Sequence, residues 1–115
     1  MTYEAILVET SEHITTITLN QPEMRNPLTA PMVRELIEAI QEADQDPDVR
    51  AIVITGSGDA FCAGGNLNEF RRNLEKSAPT LYDEGRFSNQ LFKLGEKVRT
   101  PLIAAVNGPA LGGGC

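Results

Sequence analysis

The sequence predicts an α/β fold with parallel crossovers, and three observations predict it. Two β-rich runs stand close together at the N-terminus, over residues 3–9 and 13–19. Two short, continuously apolar runs, Ala51-Ile-Val-Ile54 and Leu102-Ile-Ala-Ala-Val106, come later in the chain. Each of these follows an amphipathic helical stripe. Apolar runs of that length, bounded by turn residues, are the pattern of strands buried on both faces of a parallel sheet. The order strand, strand, helix, strand, helix, strand then requires helical crossovers.

Each element has its own signal. Tyr3, Ala5 and Leu7 alternate with Glu4, Ile6 and Val8, and Ile14-Thr-Thr-Ile-Thr-Leu19 is rich in β-branched residues. Ser11, Glu12 and His13 suit a short hairpin connection. Pro22 and Pro27 make 20–28 a loop. Thr29 offers an N-cap with Pro31 in the first turn, and Val33, Leu36, Ile37 and Ile40 form one helical face. That helix should fail around Asp44 to Pro47. The strand at 51–55 is closed by Gly56-Ser-Gly58. A looser helix is expected from about Asn66, and a second stripe runs through Phe87, Leu91, Leu94 and Val98 until Pro101 stops it. Leu111-Gly-Gly-Gly-Cys115 looks like the glycine turn that opens a helix, so the chain reads as cut in mid-element.

Composition narrows the function classes. With 115 residues, 41% hydrophobic and 23% charged, the chain suits one soluble domain or part of one. Ten Lys and Arg against sixteen Asp and Glu give a net charge of −6, which repels nucleic-acid backbones and anionic headgroups. No apolar run approaches the roughly 20 residues that span a bilayer. No basic segment followed by an apolar core opens the chain, and Cys62 and Cys115 make no disulfide framework. A reducing compartment, the cytoplasm, is expected.

Two glycine clusters occupy equivalent places, each just after a predicted parallel strand. The first is Gly56-Ser-Gly-Asp-Ala-Phe-Cys-Ala-Gly-Gly-Asn-Leu67 and the second Asn107-Gly-Pro-Ala-Leu-Gly-Gly-Gly-Cys115. Ligands of α/β sheets bind beyond such strand ends. If helices begin near Asn66 and Cys115, the amides just before them are unpaired donors at positive dipole ends. Two of them converging could hold a developing oxyanion. The same glycines also fit ordinary tight turns.

These clusters carry a resemblance. Together with Ile17-Thr-Leu-Asn-Gln-Pro-Glu-Met-Arg-Asn-Pro-Leu28, the stretch Gly56 to Leu67 and the stretch Pro101 to Cys115 are similar, in order and spacing, to the motifs of the crotonase (enoyl-CoA hydratase/isomerase) superfamily. The resemblance implies the N-terminal portion of a crotonase-like spiral of ββα units, with 1–115 as part of an acyl-CoA-binding domain. It implies an acyl-CoA thioester as substrate and trimers or dimers of trimers when full length. No cofactor is implied beyond the coenzyme A of the substrate, and no metal. The thioester oxygen would sit between the backbone amides of Gly65 and Gly113. Coenzyme A would lie along Met24 and Arg25 and along Ala63, Gly65, Asn66, Leu67 and Asn68, with Arg25 a partner for its phosphates.

Many relatives have Gly-Ala-Asp where this chain has Gly64-Gly65-Asn66, a change that keeps the amide donor. The family's hydratases carry two catalytic glutamates, one immediately after the segment matching Gly114-Cys115 and one further on, so both would lie past residue 115. Hydration of a 2-enoyl-CoA, a lyase reaction, is therefore the expected activity of the parent protein. Enoyl-CoA isomerisation is the nearest alternative. A chain truly ending at residue 115 would be an inactive CoA-binding module or a non-functional fragment.

Other readings are weaker. Phe61 stands where a dinucleotide fingerprint needs its third glycine, and no Gly-Lys-Ser/Thr follows a glycine loop. Asp44-Gln-Asp-Pro-Asp48 opens like a calcium loop, but Val49 replaces the turn glycine and Thr55 the bidentate glutamate. His13 is the only histidine and reads as a solvated hairpin residue, which argues against zinc. Cys62 reads as a small buried hydrophobe, and Cys115 lacks a visible activating base. Glu69, Glu75, Arg71 and Arg72 read as a solvated helical face that could alternatively line the pocket.

Overall fold

In the computed structural model the described residues are 3–65, 74–75 and 77–115, without the side chains of 81–85, 87 and 88. The looser helix expected from Asn66 and the contribution of Phe87 fall outside this set. Strand β1 (Ile6–Ser11) and strand β2 (Ile14–Leu19) form the expected antiparallel hairpin, Ile6 opposite Leu19 and Ser11 opposite Ile14. Its turn is Glu12-His13, both left-handed at φ 52° and 70°, the backbone twist that a two-residue hairpin favours. The strand starts later than the alternation suggested because Glu4 and Ala5 donate their N–H groups to the Glu35 carboxylate, at 2.7 and 3.0 Å.

Helix α1 (Ala30–Gln45) starts as expected. Thr29 is the N-cap, its hydroxyl accepting from the Met32 N–H, and Pro31 lies in the first turn. Its buried face carries Met32, Val33, Leu36, Ala39, Ile40 and Ala43. Strand β3 (Ala51–Gly56) runs parallel to β2, Ile14 opposite Ala51 and Leu19 opposite Gly56. Helix α2 (Ala78–Lys97), capped by Ser77, leads to strand β4 (Leu102–Ala104), parallel to β3. The sheet order is β1-β2-β3-β4. Ile17 and Leu19 of β2, Ile6 of β1 and Ile52 of β3 share one face through this register, and they form the core with Met32, Leu36 and Ile40 of α1. From α2, Leu94 is buried, and Leu91 and Val98 pack at the core's margin.

Two expectations need correction. β3 was expected to be apolar and buried throughout, yet only Ile52 is fully buried. The run 102–106 was expected as a buried strand, but pairing stops at Ala104, and Leu102, Ile103 and Val106 are 38%, 50% and 58% exposed. β4 is the edge strand of the described sheet, and among the described residues nothing covers these apolar side chains. The triple glycine forms a 3-10 turn, Gly112–Gly114.

One polar clamp ties α1 to the entry of β4. The Asp44 carboxylate accepts from the Arg99 N–H, the Thr100 N–H and the Thr100 hydroxyl, at 3.0, 2.9 and 2.8 Å. Those hydrogen bonds, Thr100's first, hold its carboxyl below the ordinary aspartate value of 3.8. A depressed folded value contributes stability that is present above the unfolded value and lost as pH falls through the folded one. Melting temperature measured against pH should therefore fall on acidification below about 3.8, and Asp44→Asn should start lower and show a shallower acid limb.

Candidate functional site

Both glycine loops leave the C-terminal ends of neighbouring parallel strands, β3 and β4, so the topology sets them side by side. The backbone completes the arrangement. On one side of residues 60–64, the Ala63 N–H donates to the Arg25 carbonyl at 2.9 Å, and the Leu28 N–H donates to the Gly64 carbonyl at 2.6 Å. On the other side, the Phe61 and Cys62 N–H groups share the Pro109 carbonyl at 3.1 and 3.3 Å, and the Leu111 N–H donates to the Cys62 carbonyl at 3.0 Å. Isolated parallel bridges join Pro27 to Gly64 and Cys62 to Ala110. Three stretches distant in sequence thus run side by side, with the first glycine loop in the middle.

Two asparagine side chains hold that middle strand. Asn26 is fully buried; its Oδ1 accepts from the Gln21 N–H at 2.8 Å, and its Nδ2 reaches the Ser57, Ala60 and Phe61 carbonyls at 3.0–3.2 Å. Asn107 accepts from the Gly56 N–H at 3.1 Å and donates to the Gly58 and Ala60 carbonyls, each at 3.2 Å. Neither side chain stands out in the sequence, because every partner but Gln21 lies at least 31 residues away.

The glycines serve close approach. Gly64 has φ +85°, and a Cβ there would stand 2.6 Å from the Leu111 carbonyl oxygen and 3.3 Å from the Gly113 nitrogen. A Cβ on Gly114 would collide with the Cys62 carbonyl. The Gly113 N–H therefore lies beside the residue that precedes Gly65. It belongs to the first turn of the 3-10 helix, where no intrahelical carbonyl is in reach. The turn's own bonds run from the Gly114 N–H to the Leu111 carbonyl and from the Cys115 N–H to the Gly112 carbonyl. Among the described residues, no acceptor meets the Gly65 or Gly113 N–H. Both glycines are exposed.

Of the sequence-predicted site residues, Met24, Arg25, Ala63, Gly65 and Gly113 come together along this zipper. Arg25, left-handed at φ 62°, closes the 3-10 turn Pro22–Met24 and points its exposed side chain away from the core, while Met24 is 46% exposed. Asn66, Leu67 and Asn68 lie outside the described residues, as do Glu69, Arg71 and Arg72. Glu75 and His13 are exposed. Cys62 is buried, and burial pushes its thiol above the ordinary value against a smaller opposite pull from the Gly64 backbone. The Cys115 thiol, exposed, donates to the Ala110 carbonyl.

Sequence reasoning missed Phe92. It sits about 100° around the helix from Leu91 and so off the packing stripe. Its ring tip lies 3.4 Å from the Cβ position of Gly113, across from the Leu28 Cδ1 at 2.9 Å.

Elsewhere, an open groove of about 400 Å³ beside the C-terminal half of α1, lined by Val8, Thr15, Glu42 and Val49 among others, contains none of these residues. Among the described residues no group of three His, Cys, Asp or Glu could hold a metal ion, and no helix is long and apolar enough to cross a membrane.

Comparison with known proteins adds a family. The profile described as "Enoyl-CoA hydratase/isomerase" matches residues 9–115. A Mycobacterium bovis protein named "Probable enoyl-CoA hydratase" is 44% identical over all of this chain and 43% of its own length. A Syntrophomonas wolfei protein named "Crotonyl-CoA hydratase" is 40% identical, again over all of this chain and 44% of its own. The crystal structure of an enoyl-CoA hydratase/isomerase from Xanthobacter autotrophicus superimposes with a TM-score of 0.93 at 33% identity, covering 99% of this chain and 42% of that one. The chain thus spans a little over two fifths of the relatives it matches.

The asparagine clamp makes a stability prediction. Asn26→Ala strands a buried N–H and removes the donor from three carbonyls, so urea unfolding should show a loss of at least ~1–3 kcal/mol, the cost of one unpaired buried group. Asn26→Asp should not rescue it, because a carboxylate accepts but does not donate.

Proposed function

The chain belongs to the enoyl-CoA hydratase/isomerase family, and on that premise we propose that it furnishes the thioester-binding half of an enoyl-CoA hydratase. The observation that carries this reading is the pair of main-chain donors, Gly65 and Gly113, brought to neighbouring positions with no acceptor among the described residues.

The chemistry needs such a pair. In hydration of a 2-enoyl thioester, a water oxygen bonds to C3 and the C2=C3 electron pair shifts toward C1. Negative charge then gathers on the thioester oxygen before C2 takes up a proton. Donors fixed in advance at that oxygen stabilise the charge as it forms and need no reorganisation during the reaction. The Leu28 and Phe92 side chains give the Gly113 position apolar neighbours, and an N–H···O⁻ interaction is stronger where such neighbours keep water away. Arg25, exposed and on the loop bonded to Ala63, is the residue proposed to meet a phosphate of coenzyme A. The acid/base glutamates implied by the resemblance belong past Cys115, so this segment's share of the work is binding and charge stabilisation. No cofactor beyond the coenzyme A of the substrate is called for.

Gly113→Pro in the full-length protein tests the assignment. Proline deletes the N–H, and kcat for crotonyl-CoA hydration should fall by about 10²–10³-fold, the loss of ~2.7–4 kcal/mol typical of one oxyanion donor. Coenzyme A affinity should hold within a few-fold. Gly113→Ala is the control: it keeps the donor and crowds only the flexible end of Leu28, so its loss should be much smaller. Equal losses in the two variants, or full activity of the proline variant, would reject the donor role. Turnover of a 3-enoyl-CoA without hydration of the 2-enoyl isomer would assign the same enolate to double-bond migration instead.

A further inference from the structure

We propose that Phe92 stands as a wall across the path of the acyl chain just beyond its first carbons, and that its ring sets the acyl-chain length the site prefers. The inference rests on the reading of Gly113 as a thioester-oxygen donor.

Two observations support it. Phe92 is 55% exposed in this chain, whereas Leu91 and Leu94 of the same helix pack on its core. A large aromatic left in solvent on an otherwise amphipathic helix is an apolar surface awaiting an apolar partner. The three atoms nearest the Cβ position of Gly113 are the Leu28 Cδ1 and the Phe92 Cζ and Cε1, at 2.9, 3.4 and 4.0 Å, all of them carbon.

Bond lengths place the acyl chain in the same neighbourhood. An oxygen accepting from the Gly113 N–H sits about 2.9 Å from the nitrogen. The carbonyl carbon is about 1.2 Å beyond it, and each following carbon adds about 1.5 Å. C2 and C3 are therefore no more than about 7 Å from the amide nitrogen, within reach of carbon–carbon contact with the ring at about 3.5–4.0 Å. Coenzyme A leaves the same carbonyl carbon through sulfur. The loop expected to receive it, Met24 and Arg25, is joined to Ala63, while Phe92 comes from α2. The ring is thus supplied by a different element from the one that holds the nucleotide.

The test is the affinity of the full-length protein for butanoyl-CoA and decanoyl-CoA, measured by calorimetry on the wild type, Phe92→Ala and Phe92→Trp. Phe92→Ala should raise the decanoyl-to-butanoyl affinity ratio by roughly tenfold or more, the size of effect that a methylene-scale change in an apolar pocket produces. Phe92→Trp should lower it. Free coenzyme A should bind all three proteins alike. An unchanged ratio in both variants, or an equal change for both ligands, would overturn the proposal. Because the readout is binding of unreactive thioesters, it is separate from the Gly113→Pro turnover assay. A ratio that stays fixed while Gly113→Pro abolishes turnover removes Phe92 and leaves the donor pair standing. A shifted ratio with an active proline variant does the reverse.

Discussion

The region around the two candidate amides hangs on one buried carboxamide, that of Asn26. Loops without regular secondary structure cannot satisfy their own backbone groups, and an unpaired one taken from water costs free energy comparable to a lost hydrogen bond. Asn26 answers for four such groups at once, because a single planar amide both accepts and donates. It fixes the turn at 21–26 against the loop at 57–61. With the second loop's Asn107 sharing the Ala60 carbonyl, three connections that would otherwise wander are locked into one piece. The N–H groups of Gly65 and Gly113 take their places from that lock.

Two kinds of cohesion therefore divide the molecule. Between α1 and the sheet, burial of Ile6, Ile17, Leu36, Ile40 and Ile52 supplies the non-directional attraction that defines the layers. Beyond the strand ends, directional hydrogen bonds decide where each peptide points. The first fixes the strands to within their register; the second fixes the direction of each loop peptide. The Glu35 carboxylate, gathering the N–H groups of Glu4 and Ala5, and the Asp44 carboxylate, gathering those of Arg99 and Thr100, join the two systems at the chain's approaches to β1 and β4.

What the sequence disclosed followed from range of interaction. The N-cap at Thr29, the face of α1 and the parallel strands are written locally, in spacing and in turn residues, and each is found. The resemblance also singled out the two glycine loops that the fold sets side by side, because their glycines are local signals. Asn26, Asn107 and Phe92 were not legible: each acquires its meaning from partners that only the fold brings near. The hairpin was legible but its turn was not, since Glu12 and His13 take left-handed conformations more often given to glycine or asparagine. The exposure of β4 was misread for a similar reason. An apolar run reports that a strand prefers to be covered, and the described sheet leaves it on an edge.

In the proposed site the donors belong to the main chain, so no functional side chain can be lost at those positions. Nearly any substitution at residue 65 or 113, proline apart, leaves an N–H in place. Damage by mutation must come from atoms added rather than atoms removed. Vulnerable positions then include Gly64, Gly108 and Gly114, where one extra carbon would run into the Leu111, Asp59 and Cys62 carbonyls and push the paired loops apart. In such an architecture the constraint lies on empty space rather than on side-chain chemistry.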